Sequence, residues 1–140
     1  MRSREEVIRA FVQQWLDKAE GDMAAADILA TSEMEDYFTC AFHCQQAVEK
    51  YLKAHLVRHQ IEFRKTHDLD QLLGLANQVD PGLQAELSSC EWLTPFGVEF
   101  RYPGADPEVD RAIAQEALLE ARHVRDVVLR HLASYLSGSE

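Results

Sequence analysis

Gln46, Lys50 and Lys53 stand at i, i+4 and i+7 in a run with no glycine or proline, Phe42 to Leu56, so as helix residues they share one face. Arg58, Arg64, Lys65 and His67 follow, opposed nearby only by Glu62. Five of the chain's fourteen lysines and arginines therefore fall between Lys50 and Lys65. Cations in that density can hold a phosphate or an RNA backbone at short range. The same pattern fits a solvated helix face that pairs with carboxylates elsewhere. Arg101-Tyr102-Pro103-Gly104 is the second candidate. A guanidinium fork beside a phenol ring, in a loop framed by proline and glycine, suits a phosphate and a base. The alternative is a tether for the last helix, with Arg101 paired to an acid such as Asp106.

Thr66-His67-Asp68 offers an imidazole between two hydrogen-bonding neighbours, the makings of a general base. A helix N-cap with an incidental histidine is the commoner origin of such a triplet. Cys40, His43 and Cys44 lie one helical turn apart, with Cys90 as a conceivable fourth zinc ligand. No paired CxxC knuckle is present, and cysteine is a common small core residue, so no metal is assigned. Arg125 and His131 are six residues apart, a rotation of about 600° in a helix, and their side chains diverge. The sequence has no nucleophile elbow, P-loop or dinucleotide fingerprint, and no cofactor is implied.

Helices must position these groups. Ile8, Phe11, Val12, Trp15, Ala19, Met23 and Ala26 recur at helical spacing and predict a first helix from about Glu5 to Ala30. Gly21 within it is either a weak point or a close crossing. Ser32 and Glu35 have the capping-box spacing, so a second helix is expected from about Met34 to His59. Tyr37, Ala41, Cys44, Val48, Leu52 and His55 form its apolar side, with Thr39, Gln46, Lys50 and Lys53 roughly opposite. Thr66 or Asp68 can cap a third helix that ends at Asp80-Pro81-Gly82. Asp80 and Pro81 can in turn open a short fourth, carrying Leu83, Leu87 and Cys90. A linker is expected between Thr94 and Gly104, and Asp106-Pro107 repeats the cap-then-proline signal before a last helix through Tyr135. No strand-like alternation appears. The expected fold is all-α, an antiparallel up-down bundle of four to five helices forming one domain over residues 1–140.

A chain of 140 residues can bury a full core without staples. The net charge of −10 repels nucleic acid and anionic membrane at long range, so any nucleic-acid contact has to be local. Three irregularly spaced cysteines argue against a disulfide framework and for a reducing cytoplasm. No apolar signal core or membrane span is seen. Trp92, Phe96 and Phe100 cluster in or near the expected linker, and exposed aromatics there point to a partner surface and a homodimer.

Three pieces together resemble the HEPN family of helical domains. Gln45-Gln46-Ala47-Val48-Glu49-Lys50-Tyr51-Leu52-Lys53-Ala54 is similar to its second-helix signature. Thr66-His67-Asp68-Leu69 is similar to the start of its third helix, and Arg101-Tyr102-Pro103 to the motif before its last long helix. Ala19-Glu20-Gly21-Asp22-Met23 resembles the opening pattern more loosely. The order and rough spacing of the pieces agree over nearly the whole chain. The resemblance implies an up-down bundle that pairs as a homodimer. Many relatives act with a minimal nucleotidyltransferase as a toxin–antitoxin pair, and others are ribonucleases built on Arg-x4-6-His. This chain departs from the nuclease pattern, because Ala105, Asp106, Pro107, Glu108 and Val109 follow Arg101 with no histidine among them. Arg101 and Tyr102 carry over as contacts for nucleotide or RNA.

Three functions are then expected in order. The first is a nucleotide- or RNA-binding module using Arg101, Tyr102, Gln46, Lys50 and Lys53, with a nucleotidyltransferase partner. The second is a non-standard endoribonuclease using Arg101, Tyr102 and His67. The third is a structural interaction domain whose amides and charges only satisfy the bundle.

Overall fold

The computed structural model describes residues 1–97 and 108–138. Arg101, Tyr102 and Phe100, and the Asp106-Pro107 cap, lie outside the described residues. The chain forms α1 (Arg4–Thr31), α2 (Tyr37–Arg58), α3 (Leu69–Val79), α4 (Leu83–Leu87), a 3-10 segment (Ser88–Gly97) and α5 (Arg111–Leu136). It is an all-α helical bundle. Among the described residues there is no strand, and no helix is long and apolar enough to cross a membrane.

The helix starts follow local chemistry. Ser3 and Glu6 close a reciprocal capping box on α1. The expected box at Ser32 and Glu35 does not form. The Ser32 hydroxyl accepts from the Met34 N–H at 3.1 Å, and Glu35 sits at φ 57°, in the left-handed region, so no helix can run through it. Asp36 is the cap instead, accepting from the Thr39 N–H at 3.2 Å and the Thr39 hydroxyl at 2.7 Å. Asp68 caps α3, accepting from the Asp70 N–H at 3.0 Å. Asp80 does not cap α4. Gly82, at φ 95°, stands at that position, and the side-chain carbonyl of Asn77 accepts from the Gly82 and Gln84 N–H groups at 3.1 and 3.2 Å. Asp110 caps α5, four residues later than the Asp106-Pro107 signal implies.

α2 is the central element. It packs against α1, α3, α5 and the 3-10 segment, and 14 of its 22 residues are buried, which leaves little room for a solvated face. α1 lies antiparallel to it: Cys40 Sγ donates to the Ala26 carbonyl at 3.4 Å, Lys50 meets Asp22, and Lys53 meets the Trp15 ring. α5 runs alongside α2 in the same direction, with Arg111 near Tyr37 and Arg58 over the Tyr135 ring at 4.1 Å. The chain manages this because α4 and the 3-10 segment carry it back along the bundle: Glu86 meets Arg130, Trp92 Nε1 donates to Glu120 at 3.0 Å, and Phe96 meets Phe38.

The apolar stripes are seated mostly as their periodicity predicts. Val12, Leu16, Ala19, Met23 and Ala26 line the inner face of α1. Phe11, expected on that face, is instead 48% exposed, because the stripe centres one position further round. Gly21 marks no close crossing, since a Cβ there would meet nothing within 4 Å. Thr94-Pro95-Phe96-Gly97, expected to open a linker, completes the 3-10 segment, and Phe96 is buried. Of the linker aromatics in the described residues only Trp92 is exposed.

Candidate functional site

The polar arc of α2 is covered by the rest of the bundle. Gln45, Gln46, Glu49 and Lys53 are all buried, although periodicity puts Gln46, Lys50 and Lys53 opposite the apolar side. The reason is that α1 and the connection 59–68 close over that side too. Lys53 Nζ donates to Glu49 Oε2 at 2.9 Å, and the two side chains are 7% and 5% exposed. Its ammonium lies 5.6 Å from the ring centres of both Trp15 and Phe63, so aromatic faces replace the water it has lost. Trp15 Nε1 is itself buried with no hydrogen-bond partner among the described residues.

The other oxygen of Glu49 takes His67. His67 Nδ1 lies 2.7 Å from Glu49 Oε1. An ionised carboxylate only accepts, so Nδ1 carries a proton, and in the neutral imidazole Nε2 is then the accepting nitrogen. The ring is 32% exposed, which leaves Nε2 within reach of solvent or a ligand. Gln45 Nε2 donates to the His67 carbonyl at 3.2 Å and, more weakly, to Glu49 Oε1 at 3.4 Å. Gln46 Nε2 donates to Gln45 Oε1 at 2.7 Å. The histidine is thus oriented by α2 from across the bundle, while its neighbour Asp68 does the capping. Gly97 seals the network from the other side. A Cβ at that position would overlap the Gln45 side-chain amide and push it out of its hydrogen-bonded place, so glycine suits the end of the 3-10 segment.

Lys50 belongs to a separate group. Its ammonium meets Asp22 Oδ2 at 2.5 Å, while Asp22 Oδ1 lies 2.8 Å from His43 Nδ1. Gln46 and Lys53 therefore join one network and Lys50 another, and none of the three offers a free cation or amide to solvent. Of the basic residues after α2, Arg64 and Lys65 are exposed. Glu49 and Gln45 are the members that reading by composition overlooks. The i, i+4, i+8 spacing of Gln45, Glu49 and Lys53 is the signal that could have found them.

The remaining histidines serve the bundle. His131 Nδ1 lies 2.6 Å from Asp80 Oδ2, and Arg125 pairs with Asp126, so the Arg125 and His131 side chains do not meet. His55 is buried against His59 and His131, with Nε2 3.4 Å from Asp80 at the end of α3 and neither ring nitrogen hydrogen-bonded among the described residues. Burial pushes its pKa down to about 4. Cys40, Cys44 and Cys90 are free, buried thiols. Among the described residues no group of three histidines, cysteines or carboxylates is arranged to hold a metal ion.

No curated protein matches the chain. Among solved structures it is similar to TT1696 from Thermus thermophilus, at 30% identity and a TM-score of 0.66, over 85% of this chain and 96% of that one. The family model described as HEPN domain matches residues 12–132, which takes in α2, the Glu49–His67 pair and most of α5. With that span matched and the bundle it predicts in place, the chain belongs to the HEPN family.

Proposed function

We propose that the chain is a nucleotide- or RNA-binding module of the reducing cytoplasm. In this reading it works as a homodimer beside a nucleotidyltransferase, in a toxin–antitoxin-type pair. HEPN membership supports a nucleotide- or RNA-related module in general. The observation that carries the finer reading is the buried Gln45–Gln46–Glu49–Lys53–His67 network, closed by Gly97. Burying a lysine and a carboxylate gains little over apolar packing, so a bundle that only needed a core would not require them. The network instead makes a stiff wall, and Arg101 and Tyr102 follow Gly97 by four and five residues. In this reading Arg101 and Tyr102 touch the ligand, Gln46 and Lys53 hold the wall rather than the phosphate, and Lys50 is tied to Asp22. Isothermal titration with ATP, GTP and a short RNA tests it. Binding by one of them, weakened at least roughly tenfold in Arg101→Ala, is expected, as for loss of a charge-assisted fork. No binding by any of the three removes the ligand part.

The Glu49–His67 pair favours a second reading, an endoribonuclease. A carboxylate-oriented imidazole with a free Nε2 can take the proton of a 2′-hydroxyl, the role that no histidine after Arg101 can fill. An RNA cleavage assay with and without EDTA decides between them. Cleavage lost in His67→Ala would establish the nuclease, and intact RNA throughout would leave the binding module.

A further inference from the structure

A surface groove of about 610 Å³ runs between the connection 59–68 and α3. Its inner wall is Glu62, Phe63 and Arg64, and its outer wall is the face of α3 that carries Gln71, Gly74 and Gln78. We propose that this groove is a subsite for a purine nucleotide, free or within single-stranded RNA, with Phe63 as stacking ring, Arg64 as phosphate fork and Gln71 and Gln78 as readers of the base edge. The inference rests on the nucleotide reading above and adds a place and a base class to it.

Four observations support it. First, the volume falls within the range of small-ligand sites. Second, Phe63 is held from behind. Trp15 meets its ring edge-on at 6.3 Å and 70°, and the Lys53 ammonium lies 5.6 Å from its centre. The ring is therefore fixed before any ligand arrives, and a preorganised aromatic face loses little freedom when a base stacks on it. Third, Gln71 and Gln78 are seven residues apart, two turns of one face, and neither side-chain amide has a hydrogen-bond partner among the described residues. Free amides are the groups that pair with the N6 and N7 positions of adenine. Fourth, Arg64 is exposed and pairs with no carboxylate among the described residues, whereas Arg122, Arg125 and Arg130 each do. Glu62 also lines the groove, and its carboxylate suits ribose hydroxyls or an exocyclic amine better than phosphate.

Gly74 supplies the test. A Cβ there would meet nothing within 4 Å, so a leucine fits the helix and projects into the groove. Titrations of AMP, GMP, UMP and a ten-nucleotide oligo(A) are compared for the wild type, Gly74→Leu and Arg101→Ala, with thermal melting as the check on folding. The expected result is that a purine ligand binds the wild type, UMP binds roughly tenfold more weakly, and Gly74→Leu loses the purine. Phe63→Leu and Arg64→Gln should each weaken it as well, and they serve in place of Gly74→Leu if that variant melts early. Binding of AMP or GMP marks a free nucleotide as the source, and binding of oligo(A) alone marks RNA. If Gly74→Leu binds like the wild type while Arg101→Ala does not, the groove assignment is overturned and the reading above stands. If Arg101→Ala binds normally and Gly74→Leu does not, the groove stands and the Arg101 assignment falls. No binding by the wild type overturns both.

Discussion

Glu49 is the residue on which the site turns. One oxygen holds Lys53 and the other holds His67, and all but 5% of its side chain is out of solvent. In such a place the pair is worth less than its distance implies, because both charges have left water. Breaking it is a different matter. Glu49→Gln leaves the Lys53 ammonium with only ring faces and a neutral amide, and Lys53→Met leaves the carboxylate with His67 and Gln45. Each single change should cost about 3–5 kcal/mol of folding stability. The double variant should cost clearly less than the sum, since neither charge is then stranded. Urea unfolding of the four proteins measures the coupling, and strict additivity would show that the two side chains do not act as a pair.

At the scale of elements, the meeting of α2, α3 and α5 at His55 has its own consequence. His55 is buried against His59, His131, Asp80 and Arg58, and of these only Asp80 favours its charged form. Its pKa of about 4 lies below the 6.5 it has when unfolded, so the folded state binds fewer protons between those values. Stability from this residue is present above pH 6.5 and is lost as pH falls toward 4, by roughly 3 kcal/mol in total. His55→Leu, similar in volume and apolar, should flatten the dependence. Urea midpoints at pH 7 and pH 4.5 provide the check, and an equal drop in both proteins would place the acid sensitivity elsewhere. The element boundaries carry a related lesson. Sequence spacing alone offers Ser32 and Asp80 as caps, but Ser32 is turned by the left-handed Glu35, and Asp80 is occupied by His131. A carboxylate or hydroxyl caps only when nothing stronger claims it.

For the whole molecule, the proposed homodimer is the open quantity. The linker aromatics that motivate it in the sequence are partly accounted for within one chain, since Phe96 is buried and Trp92 donates to Glu120. Phe11 and Val7 on α1 and Leu119 on α5 remain exposed, each about half or more. Sedimentation at micromolar concentration should give twice the 16.0 kDa chain mass. A monomer there removes the dimer and leaves those side chains as ordinary surface. The net charge of −10 adds a constraint, because any copy or nucleic acid approaches against repulsion until it reaches a local basic feature such as Arg64-Lys65.

Periodicity was enough to determine the helices and the apolar stripes of α1 and α5, and contiguous words of sequence carried the family resemblance, because each rests on residues close together in the chain. It also identified His67 and the Gln-Gln-x-x-Glu-Lys-x-x-Lys run as unusual. It could not tell a solvated polar face from a covered one. Gln46 and Lys53 look exposed from α2 alone, and they are buried because α1 and the connection 59–68 close over them. Nor could it pair His67 with Glu49, eighteen residues away, or set Phe63 against Trp15. Those contacts depend on which side of α2 each later segment returns to. That choice is made by packing across the bundle, and only the tertiary structure decides it.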